Sequence, residues 1–73
     1  MLTGVQIRMA RVALGWSIRD LAERADVHHN TVGRIENGHL PSRGTNLLLK
    51  LALEKAGIEF KEDGSVRLCE RRY

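Results

Sequence analysis

The sequence predicts a small, mainly α-helical domain of four helices closed by a short C-terminal β-hairpin. Three observations carry that expectation. Four segments place apolar residues at helical spacing between capping residues and glycine or aspartate stops. After Gly57 the apolar period changes from helical to two, on either side of an Asp63-Gly64 pair. The chain has 73 residues, enough for one domain, and a chain of this size buries only about 60% of the surface its unfolded form exposes.

Thr3 can cap a first helix over residues 4–14, stopped by Gly15. Ile7, Ala10, Arg11 and Leu14 form its one apolar stripe, with an arginine inside it. The second helix opens at Ser17, and Asp20 three residues later completes a capping box. Ile18, Leu21, Ala22 and Ala25 line its buried face, and Asp26 ends it by tolerating a left-handed backbone. A third helix runs over 28–37 and is closed by Gly38. Val32 and Ile35 face inward, with Val27 anchoring the turn, while His28, His29, Asn30, Gly33, Arg34 and Asn37 form the other face. Residues 39–44 read as a loop holding the sole proline, and Thr45 starts a fourth helix over 45–56. Ile58 and Phe60, then Val66 and Leu68, alternate with polar residues as two strands around the Asp-Gly turn. A two-stranded hairpin is marginal alone in water, so it must lie on the helices or pair with another subunit.

Composition narrows the function classes. Hydrophobic residues make up 42% and charged residues 29%, too apolar for disorder. The single cysteine, Cys69, excludes an internal disulfide and a cysteine-rich zinc site. The longest apolar run, residues 47–49, is far too short to span a membrane, and no signal-peptide pattern opens the chain. A cytoplasmic protein is expected. Net charge is +3, and nine of the twelve cations are arginine, the residue suited to bidentate phosphate and base-edge recognition. Residues 1–43 carry +2 and residues 44–73 carry +1, so neither half is a polybasic tail.

Two short helices joined by a tight turn, the second with a polar hydrogen-bonding face, describe a helix-turn-helix. Residues 17–38, SIRDLAERADVHHNTVGRIENG, resemble the lambda-repressor/Cro-like (Xre-type) helix-turn-helix of bacterial and phage regulators. Ala22, Val27, Val32, Ile35 and the closing Glu36-Asn37-Gly38 carry the likeness, and RVALGW over 11–16 extends it upstream. The resemblance covers roughly residues 4–60. Ile18 stands where the family usually has a DNA-reaching glutamine, and Asp26 where the turn usually has glycine. A hairpin replaces the fifth helix of larger members.

The resemblance implies a sequence-specific double-stranded DNA-binding transcriptional regulator, read as a repressor that binds an inverted repeat as a homodimer. It implies a partly buried ion pair between Arg11 and Glu36, because the two charges lie on facing apolar surfaces. Arg34, Asn30 and His29 are expected to read base edges, with His28 capping the helix or joining them. Ser17, Arg19, Thr31, Asn37, His39 and Arg43 are expected on the DNA backbone. Residues 1–57 form the DNA-binding domain, with the helix-turn-helix at about 17–38. Residues 58–73 form a tail of the same domain, with Ile58, Phe60, Val66 and Leu68 expected at a dimer seam, to which leucine-rich faces of the fourth helix are an alternative.

Other classes are weaker. His28, His29, His39 and Cys69 make a poor metal site, since adjacent helical histidines point about 100° apart. No nucleophile–base pair or carboxylate pair stands out, so neither catalysis, a metal nor a cofactor is expected. The alternative is an antitoxin that binds a toxin protein and represses its own operon.

Overall fold

The computed structural model describes residues 1–69, and the end of the expected 58–73 tail lies outside the described residues. Four helices and two strands follow in the order α1 (Gly4–Ala13), α2 (Ile18–Ala25), α3 (His29–Glu36), α4 (Arg43–Lys55), β1 (Ile58–Phe60) and β2 (Val66–Leu68). The mainly α fold with a C-terminal hairpin is the class expected from the sequence.

Local chemistry sets most boundaries. Thr3 caps α1 in a full capping box, its hydroxyl accepting from the Gln6 amide while the Gln6 side chain accepts from the Thr3 amide. Ser17 and Asp20 form the same reciprocal pair at α2. At the far ends, the left-handed residue after the helix lets two successive amides bond back to the last turn. Gly15 (φ 72) and Gly38 (φ 107) do this for α1 and α3.

Several boundaries differ from expectation by one or two residues. Leu14 caps α1 instead of extending it. His28 caps α3, a role expected of it, so the helix starts one residue later, and Asn37 is the cap at the far end. Helix α4 starts two residues before Thr45, because the Ser42 hydroxyl accepts from the Thr45 amide and places the cap there. Arg43 and Gly44 therefore belong to a first helical turn and not to a loop.

The core is built from Ile7 and Ala10 of α1, Leu21, Ala22 and Ala25 of α2, Val32 and Ile35 of α3, and Leu49 and Leu53 of α4. Leu2 and Ile58 close it from either end of the chain. Helix α2 packs on α3 and α4, while α1 packs on α3 and β2. Gly4 makes the α1–α3 approach possible, since a Cβ there would overlap the Ile35 carbonyl oxygen. Helix α1 also has a second apolar face that the single-stripe reading missed, with Val5, Met9 and Val12 exposed on its outer side.

The strands are antiparallel, with Ile58 opposite Leu68, Glu59 opposite Arg67 and Phe60 opposite Val66. Glu62, Asp63 and Gly64 form a three-residue loop in which Gly64 holds the left-handed position (φ 89). The Asp63 carboxylate accepts from both the amide and the hydroxyl of Ser65. The hairpin lies on α1 and α4 of its own chain. Ile58 is 4% exposed, Phe60 and Val66 pack against the core, and Leu68 is 47% exposed.

Candidate nucleic-acid interface

The α2–α3 turn sets the geometry of the site. Asp26 adopts φ 58 and ψ 46, a left-handed conformation that costs an L-residue roughly 1–2 kcal/mol, less for aspartate than for most. That reversal lets the Val27 amide bond to the Ala22 carbonyl and turns the chain sharply into α3. Val27 packs against the core and fixes the turn from beneath.

His28 then caps α3 through its ring, with Nδ1 accepting from the Asn30 amide at 3.1 Å. This bond requires an unprotonated Nδ1, so the ring proton sits on Nε2, the atom turned away from the cap. The His28 and His29 rings stack with centroids 4.5 Å apart. Partial burial holds the His29 imidazole below the ordinary histidine value, reinforced by the positive charge of Arg19 and by His28.

With Val32 and Ile35 pointing into the core, the opposite face of α3 is fixed by helical geometry. Arg19, His29, Asn30, Gly33, Arg34 and Asn37 line one open groove of about 430 Å³, together with Ile18. Within the described residues, the side chains of Arg19, Asn30, Arg34 and Asn37 have no hydrogen-bond partner, so their donors face outward unused. Ile18 occupies the apolar edge of this groove and offers it no polar contact.

The remaining expected positions do not line the groove. Ser17 uses its oxygen as the α2 cap and keeps a hydroxyl hydrogen to donate. Thr31 is half-buried on α3, whereas His39 is exposed beyond Gly38. Arg43 is exposed at the start of α4.

Behind the groove, Arg11 and Glu36 form a bidentate pair. Nε of Arg11 lies 2.8 Å from one Glu36 carboxylate oxygen and Nη2 lies 3.0 Å from the other. The third nitrogen donates to the Trp16 carbonyl at 2.8 Å. The Arg11 side chain is 14% exposed and that of Glu36 7%. The hydrogen bonds that Arg11 donates to Glu36 raise the Arg11 pKa further above its already high ordinary value, against the effect of burial. All three guanidinium nitrogens are engaged inside the chain, so the pair ties α1 to the C-terminal turn of α3. Sequence reasoning missed two supports of this arrangement. Gly4 lets α1 meet the end of α3, and Arg24 stacks over the Trp16 ring at 4.3 Å. Both depend on contacts between elements, which no local pattern announces.

A left-handed turn between two short helices, the second offering an unpaired polar face beside a rigid ion pair, defines a helix-turn-helix of the DNA-reading kind. Comparison with protein families agrees: the model described as "Helix-turn-helix" matches residues 7–53, and the chain belongs to that family. Membership makes it a DNA-binding transcription regulator and fits the lambda-repressor-like resemblance of residues 4–60. No curated protein matches the chain, and no solved structure matches it. No helix among the described residues is long and apolar enough to cross a membrane.

Proposed function

We propose that the chain is a repressor that binds an inverted-repeat operator as a homodimer, with α3 in the major groove. The observation that carries this reading is the convergence of Arg19, His29, Asn30, Arg34 and Asn37 on one groove, with their donors unused among the described residues. Arg34 reads guanine through two parallel hydrogen bonds, the commonest specific contact, and Asn30 reads adenine through its amide. His29 sits in the first turn of α3, where base edges lie closest, and His28 contributes through Nε2 while its other nitrogen holds the cap. Gly33 brings the helix close because it has no side chain to intervene. Ser17, Arg19, Thr31, Asn37 and His39 bind phosphate oxygens and set the register. A single reader of this size offers few base contacts, and two-fold symmetry doubles them.

Selection of bound sequences from random duplexes by the purified chain tests the proposal. An enriched motif with two-fold symmetry is expected. Retention without any enriched motif would leave only non-specific binding and end the repressor reading.

The antitoxin reading is supported by a different observation. The outer side of α1 exposes Val5, Met9 and Val12 beside Arg8, a surface suited to protein and not to nucleic acid. Co-expression with the product of an adjacent reading frame tests it, and a stoichiometric complex broken by Met9→Glu is the expected sign.

A further inference from the structure

Helix α4 is apolar on two sides. Leu49 and Leu53 are buried in the core, yet Leu47, Leu48 and Leu51 are exposed by 53%, 44% and 52%. At 100° per residue, Leu47 and Leu51 sit at the centre of the outer face, with Arg43, Glu54 and, further out, Lys50 on one flank and Leu48 and Lys55 on the other. A contiguous second apolar face on a helix is a surface suited to a partner.

We propose that α4 of a second copy covers this face, running antiparallel about a two-fold axis. The proposal rests on the homodimer reading above and supplies its seam. Charge placement is the reason for choosing a second copy. In its first turn α4 carries Arg43 and no acidic residue, and Glu54 lies in its last turn. Arg43 and Glu54 therefore each sit at the end of the helix macrodipole that disfavours them. An antiparallel neighbour relieves both at once. When Leu47 of one copy seats beside Leu51 of the other, Arg43 comes level, within one residue, with the partner's Glu54. Two-fold symmetry brings like flanks together, so the pair lies on the same side of the seam and occurs twice. Arg43, expected from the sequence on a phosphate, faces the second copy instead.

A seam of one helix face is small beside a standard interface of about 800 Å² per partner. Association in solution is therefore weak, and adjacent half-sites complete it by raising the effective concentration. Three hydrophobic residues exposed on a helix, with opposite charges at its ends, are enough to fix direction and register.

Sedimentation equilibrium of the full chain, from micromolar to sub-millimolar concentration, tests this seam. Wild type should show a monomer–dimer equilibrium. Leu51→Glu should weaken it about a hundred-fold or more by placing a charge at the seam centre, with the helical circular dichroism unchanged because the site is exposed. Arg43→Glu and Glu54→Arg should each weaken it about ten-fold, and the double reversal should restore it. Dimerisation that survives Leu51→Glu would overturn the α4 seam while leaving the homodimer standing. Weakening by Leu51→Glu with no rescue in the double reversal would overturn the antiparallel register. A wild-type chain that stays monomeric throughout the range would overturn the homodimer itself.

Discussion

Replacing Glu36 with alanine leaves the Arg11 guanidinium facing an apolar surface with two of its three anchors gone. Charge-assisted hydrogen bonds contribute roughly 1.5–3 kcal/mol each, and removing one partner of a buried pair costs about 3–5 kcal/mol. The pair keeps slight solvent contact, at 14% and 7% exposure, and the Trp16 carbonyl remains as a ligand for Arg11, so the cost falls near the low end, about 3 kcal/mol. For a domain of this size each kcal/mol lowers Tm by about 4–8 °C, giving a drop of about 12–24 °C in a thermal melt followed at 222 nm. That is a large share of a total stability of about 4–11 kcal/mol. The double variant Arg11→Leu/Glu36→Leu should regain most of the loss, because no charge is then left stranded. A Glu36→Ala chain that melts within a few degrees of wild type, or a double variant that is as unstable as the two single losses added together, would show that the pair does not hold α1 to α3.

Gly4→Ala should destabilise by about 2 kcal/mol through overpacking against the Ile35 carbonyl, read as a lower urea midpoint. Asp26→Gly should stabilise by up to about 1 kcal/mol, since glycine accepts φ 58 without strain; a lower melting temperature would contradict the turn geometry. The His29 value is depressed, so the free fold favours the neutral ring, and that contribution to stability is present above the unfolded histidine pKa and lost as pH falls below it. A phosphate or base acceptor beside the ring reverses the preference on the complex, so DNA affinity should rise as pH falls from neutral. His29→Gln should flatten that rise in a fluorescence-anisotropy titration. An unchanged pH slope would remove His29 from the interface.

What was legible from the sequence was local. The Thr3–Gln6 and Ser17–Asp20 boxes, the left-handed Asp26 and the two faces of α3 each depend on residues within one or two turns of each other. The start of α4 was misplaced because both Ser42 and Thr45 are capping residues, and only the observed bond from the Thr45 amide to Ser42 chooses between them. The hairpin pattern was correct, but alternation does not reveal what the apolar side meets. Ile58 meets its own core, whereas Leu68 on the same side stays exposed. For the site, the pattern brought five polar residues to one groove, yet the close fit of Gly4 and the Arg24–Trp16 stack come from tertiary contacts with no local signature.

The decisive measurement compares wild type and Arg34→Ala on the selected operator and on unrelated duplex at one fixed salt concentration. A bidentate guanine contact contributes about 1–3 kcal/mol of discrimination, so operator affinity should fall by roughly 5–150-fold per half-site. Affinity for unrelated duplex should change far less, because that binding depends on phosphates neutralised and not on bases read. An equal loss on both duplexes would mean that Arg34 touches only the backbone, and that the outward face of α3 is not where the sequence is read.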